Sequence, residues 1–334
     1  MNKIFGLFTR QPVVVCLSLL IFSCSLHGQP GNYHMRKRAS ERLIALAQRI
    51  DTSTDIEEFR RILVLRPNPD WQDATGATAL WLASAAGRKD VVQLLLDHQA
   101  DPDLPTGDGA TPLWIATVGG HIGVVRVLLD AGVDVNRSAN NGTTPLWLAS
   151  WNGVSEFVRM YLEAGADPNT REKKNKSTPL WCAAVNGHVD IIELLIDKGA
   201  EIDPVSGEGA TPLCMAASSG HLEAVQLLIE KGAKAEFRTK ASTSPLWLAA
   251  AEGHAEVVQC LATEGVSLEV REKKFGASPL WIAAQNGHLE VAGFLLGAGV
   301  DPELKAKGMT AREIAEKQGH SEIVELLSGR VRSD

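Results

Sequence analysis

The chain has 334 residues, 33 of them basic and 40 acidic, for a net charge of −7. That acidity excludes a general nucleic-acid binder, which carries a basic footprint. The length suggests two ordinary domains, and the 45% apolar fraction is that of a folded protein.

The first 28 residues form a distinct zone. Lys3 and Arg10 precede an apolar run from Val13 to Phe22, and small or polar residues follow. This is the layout of a secretory signal, and the run is too short to span a membrane comfortably. Ile21 to Cys24, IFSC, also resembles a bacterial lipobox, although Phe22 is unusual there. The expectation is a signal peptide or anchor over 1–28, which places the chain in the secretory pathway or on a membrane. A start at Met35 would make the leader spurious and the protein cytoplasmic. Cys16 and Cys24 lie in this leader. The other three cysteines, Cys182, Cys214 and Cys260, are odd in number and widely spread. They do not read as a disulfide framework, which favours a reducing compartment.

Residues 29–73 predict a linker and a degenerate helical cap, from SERLIALAQRI and DIEEFRRILVL. Beyond them the chain is periodic. A leucine recurs at Leu80, Leu113, Leu146, Leu180, Leu213, Leu246 and Leu280, in steps of 33 or 34 residues. Gly87, Gly120, Gly153, Gly187, Gly220, Gly253, Gly287 and Gly319 keep the same frame. Two independent markers in one frame make a strong repeat signal. Segments one hundred residues apart also match, as REKK at Arg171 and again at Arg271, so a three-unit block has been duplicated.

The unit from Gly109 to Asn136 shows what each repeat builds. Thr111 suits a helix N-cap, and Pro112 the first helical position. Leu113 and Ala116 share one helical face. Gly119-Gly120 ends this short helix. His121 opens a second helix, in which Val124, Val125, Leu128 and Leu129 recur at helical spacing. Such a unit cannot bury its apolar face alone, so neighbours must stack into a solenoid.

The TPLW steps at Thr111, Thr144 and Thr178, SPLW at Ser244 and Ser278, NGH at Asn186 and Asn286, and GADPN at Gly165 carry a family resemblance. The chain resembles the ankyrin repeat, with signature T-P-L-H-x-A and a period of 33. The resemblance covers about residues 74–329, as seven clear units and a divergent last one; residues 330–334 are a tail. The first unit has Ala79 for proline, and the fifth has Cys214 for tryptophan. In the last, Arg312 and Glu313 replace Leu and Trp, as suits a unit with no further neighbour. The implied fold is an all-α solenoid of stacked helix-turn-helix units with short β-hairpin loops.

Six tryptophans stand where the family has histidine: Trp81, Trp114, Trp147, Trp181, Trp247 and Trp281. Each follows a core leucine by one residue, ~100° around the helix, at the seam between units. A packed structural ladder is favoured over a row of ligand surfaces. The histidines of the Gly-His register do not form a metal site. Equivalent residues of stacked units lie roughly 8–10 Å apart, whereas zinc holds nitrogen at ~2 Å. No nucleophile constellation or phosphate-binding glycine loop is present, and neither catalysis nor a cofactor is expected. The Asn136, Asn141 and Asn175 triplets match the glycosylation pattern, which matters only in a eukaryotic secreted chain.

The resemblance implies a protein-binding scaffold that uses loop tips and the exposed end of the first helix. The implied positions include Val118, Trp151, Val185 and Gln285. Trp151, outside the ladder, is open to two readings: a binding anchor, because hot spots favour tryptophan, or a ring packed on a neighbouring loop. Lys173, Lys174, Lys176, Lys273 and Lys274 make two basic loops, with Phe275 beside the second. A basic edge on an acidic body would favour an acidic partner, although charged tips also simply keep loops soluble. The expectation is a monomeric scaffold that binds protein and no nucleic acid, and meets a membrane only through the leader. The alternatives are a secreted or membrane-tethered effector or inhibitor and, more remotely, an enzyme or the regulatory subunit of one.

Overall fold

The computed structural model describes residues 31–50 and 56–329. The expected leader and the 330–334 tail lie outside the described residues. Among those described run eighteen helices and no named strand. The helices are α1 (Gly31–Ala47), α2 (Ile56–Leu63), α3 (Ala79–Ala85), α4 (Lys89–Asp97), α5 (Pro112–Val118), α6 (Ile122–Asp130), α7 (Pro145–Asn152), α8 (Ser155–Glu163) and α9 (Pro179–Val185). They continue as α10 (Val189–Asp197), α11 (Pro212–Ser219), α12 (Leu222–Glu230), α13 (Pro245–Glu252), α14 (Ala255–Thr263), α15 (Pro279–Asn286), α16 (Leu289–Gly297), α17 (Ala311–Gln318) and α18 (Ser321–Leu327).

Each unit is one odd-numbered and one even-numbered helix. The Thr or Ser before the first helix accepts the backbone N–H three residues on, as Thr111 does from Trp114 at 3.1 Å. Proline at the first helical position loses no bond there. From α3 onward each first helix packs on its own partner and on the next first helix. The second helices form a looser outer row. The seven frame leucines, Leu80 to Leu280, are at most 1% exposed. Burying each contributes roughly 2 kcal/mol relative to exposure.

The helix pair α1 and α2 packs on α3 and α4 at one end of the stack. At the other end Arg312 and Glu313 are exposed. Glu313 also has a local reason to be there: it closes a capping box with Thr310, its carboxylate taking the Thr310 N–H at 2.8 Å.

The turns between units are hairpin-like but carry no paired strands. Most close on one or two backbone bonds, as Thr106 N–H to Ala110 O and Gly109 N–H to Thr106 O. Among the described residues only Ala306 and Met309 form an isolated antiparallel bridge. Successive tips are also tied together: Gly107 donates to Thr75 O, Asn140 to Asp108 O, Lys173 to Asn141 O, Gly207 to Asn175 O and Lys273 to Ala241 O. One bond per neighbour is too few for a strand, but it fixes the spacing of the tips.

Candidate interaction surface

The tryptophan ladder joins each unit to the next. The indole N–H of Trp81 donates to Ala110 O, Trp114 to Thr143 Oγ1, Trp147 to Ser177 Oγ, Trp247 to Ala277 O and Trp281 to Met309 O, at 2.9–3.2 Å. Every acceptor belongs to the residue just before the next helix cap. Trp181 is the exception: its Nε1 is buried without a partner. Trp181 and Trp281 are buried, at 8% and 2% exposure, whereas the other four rings are only half-buried. The ladder is therefore a seam with one partly open face.

The histidines form a second seam. His121 Nε2 bonds Ala85 O, His221 bonds Val185 O, His254 bonds Ser218 O, His288 bonds Ala251 O and His320 bonds Gln285 O. Each reaches back to the end of the preceding first helix, whose last carbonyls lack helical partners. This explains one glycine of the frame. Gly253 has φ +85°, and a methyl group there would sit 2.5 Å from His288 Nδ1. Conformation and lack of room both demand glycine.

Trp151 is the one position of its register with a large aromatic ring. It lies four residues after Trp147 on α7, so the two share a helix face. The rings stack with centroids 5.6 Å apart and planes 3° from parallel, and both stay half-buried. Trp151 thus packs on Trp147 and keeps part of its surface exposed. Val118 occupies its register on α5 and is 44% exposed. Val185 and Gln285 are half-buried, and both lend their carbonyls to the histidine seam. Beside the tryptophans, Leu82, Leu148, Met215, Leu248 and Ile282 are half-buried as well. The inner helices thus carry a half-buried apolar band, which follows from the position after each ladder residue and not from any residue that breaks the pattern.

The two REKK turns are built alike. Glu172 is 8% exposed, and its carboxylate accepts the N–H groups of Lys174 and Asn175. Glu272 accepts those of Lys274 and Phe275. The arginines reach across to the next turn: Arg171 donates to Val205 O at 2.8 Å, and Arg271 donates to Lys305 O. Half of each motif is therefore internal scaffolding. Lys173, Lys174, Lys176, Lys273 and Lys274 are exposed, and among the described residues none of them is in an ion pair. Phe275 is 42% exposed, with Lys274 Nζ 4.7 Å and Lys307 Nζ 3.8 Å from its ring centroid. Lys307 belongs to a further basic run, KAK at Lys305, and the fold places its Nζ against the Phe275 ring.

The structure does not bring the expected contact residues to a single spot. Val118, Trp151, Val185 and Gln285 follow the inner helices, whereas the lysines and Phe275 sit on two turns three units apart. Asn136 is spent on the scaffold: its Oδ1 accepts from Asp167 N–H, and its Nδ2 donates to Gly165 O. Burial pushes the Cys182 and Cys214 thiols up, so both stay protonated and unreactive.

The sequence matches the family pattern of ankyrin repeats, taken three copies at a time, over residues 46–139, 100–172, 146–241 and 246–332. No curated protein sequence matches the chain.

Proposed function

Because the chain belongs to the ankyrin repeat family, we propose that it is a non-catalytic scaffold, acting as a monomer, that holds a partner protein on its inner helices and turn tips. Ankyrin repeats are in general protein-binding modules. The observation that carries the inner face is the Trp147–Trp151 stack, two large rings left half-exposed on one short helix. Paired aromatic rings bring large contact area at low cost in side-chain entropy, which is what interface anchors need. Val118, Val185 and Gln285 extend that face. The lysines of the two REKK turns, with Phe275, make the tips basic, so the partner presents acidic groups there.

The test is affinity capture of a cross-linked partner from the source cells. Trp151→Ala combined with Val118→Asp removes the ring and charges the face. The doubly substituted protein, with its helical circular dichroism unchanged, should lose the partner that the wild type retains. Full retention by the folded double variant would rule out the inner face.

A further inference from the structure

The basic tips are not equivalent. The turn after Arg171 carries Lys173, Lys174 and Lys176, but the next tip presents Glu208, so the positive charge is interrupted. Nearer the C-terminus it is not. Lys240, Lys273, Lys274, Lys305 and Lys307 come from three consecutive turns and are all exposed. Among the described residues none of them is in an ion pair. Glu272, next to Lys273, spends its carboxylate on backbone N–H groups of its own turn. The exposed Glu303 and Glu236, two residues from Lys305 and four from Lys240, form no ion pair with them. Arg271 bonds the neutral carbonyls Gly276 O and Lys305 O and adds a further positive charge.

Phe275 lies in the middle of this cluster. An exposed phenylalanine on a turn tip gains nothing from the core. Here Lys274 and Lys307 flank its ring and hold it in place. At the matching place in the other REKK turn stands Asn175. The cluster therefore combines unpaired cations with one fixed apolar platform.

We propose that the last three turn tips bind an extended acidic peptide segment of a partner protein, with one apolar side chain of that segment seated on Phe275. This rests on the scaffold reading above and names the chemistry of its ligand. Neighbouring units stack roughly 8–10 Å apart, so three tips span about 20 Å. Six to eight extended residues, at ~3.3 Å each, cover that length. The short span and the overall charge of −7 favour a protein segment over a long polyanion.

Fluorescence anisotropy with the full chain tests the proposal. The probe is a labelled eight-residue peptide of aspartate and glutamate with one central leucine. Wild type should bind it, and more weakly as sodium chloride rises. Lys273→Glu, Lys274→Glu and Lys307→Glu together should weaken binding by at least about tenfold. Phe275→Ala should weaken it about threefold, and replacing the leucine by serine should then cost nothing more. Lys89→Glu, Arg159→Glu and Lys198→Glu together, exposed on the second helices or at their ends and away from these tips, should change it by less than about twofold, since charges a few Debye lengths away are screened. Absent binding, equal weakening by both triple variants, or tighter binding of single-stranded DNA or of phosphatidylserine vesicles would each overturn the proposal. Peptide binding does not involve the inner face, so loss of the partner in the Trp151 variant with peptide binding intact separates the two readings.

Discussion

Trp181 and Trp281 occupy equivalent positions, are both buried, and differ in one hydrogen bond. Trp281 donates to Met309 O, whereas the Trp181 N–H has been taken from water without a replacement partner. An unsatisfied buried donor costs about 1–3 kcal/mol, and a formed bond contributes about 1. Trp181→Phe should therefore be neutral or stabilising, whereas Trp281→Phe should destabilise by about 1 kcal/mol, read as urea midpoints at constant slope. Trp281→Ala should cost ~3–5 kcal/mol through lost burial and cavity. Trp151→Ala, from a half-exposed ring, should cost only about 1 kcal/mol. That gap would confirm that one tryptophan serves the stack while the other is free to serve a partner.

The first helices are only seven or eight residues long, too short to persist alone in water. Their ends must be fixed by caps and by neighbours. Thr144 caps α7 by accepting the Trp147 N–H at 3.2 Å, and Thr144→Ala should cost about 1 kcal/mol. Two glycines separate conformation from crowding. Gly253 and Gly265 both have positive φ, at +85° and +73°, but only Gly253 lies against a neighbour, the His288 ring. A side chain in that region costs roughly 1–2 kcal/mol by itself. Gly265→Ala should lose about that much, and Gly253→Ala more, because the histidine must also move. Thermal melts of the two variants decide it. Equal losses would mean that the ring yields freely and the seam is weak.

Among the described residues the main helix contacts lie within a unit or join adjacent units, so stability is close to a sum of unit and interface terms. Removing residues 300–334 takes away α17 and α18 and, with them, Met309, the acceptor of Trp281. Amides of α15 and α16 should then exchange faster, while those of α4 stay protected, as hydrogen–deuterium exchange would show. Uniform loss of protection along the chain would instead indicate one all-or-none unit.

How much of this was legible depends on the range of the interaction. Thr111, Pro112 and Gly253 act within a few residues of themselves, so their meaning is local and the repeat frame displays it. The frame leucines and the 33-residue period are likewise sufficient for stacked helical pairs. The REKK turn was legible as charge but not as architecture. Charge counting cannot distinguish Glu172, folded inward onto backbone N–H groups, from a solvated acid. Nor can it show that Arg171 and Arg271 reach carbonyls on the following turn.

The sequence by itself thus determined the unit, its caps, the number of copies and the family, because helix ends and apolar periodicity are properties of short segments. Only the tertiary structure decided which acceptor each indole and imidazole reaches, that Trp151 stacks on Trp147, and that Lys307 lies on Phe275. Those pairs come from side chains on one short helix or on neighbouring units, and stacking brings the latter together across about one period of chain. The exposed surface that a partner meets is set by that stacking register, which no single repeat contains.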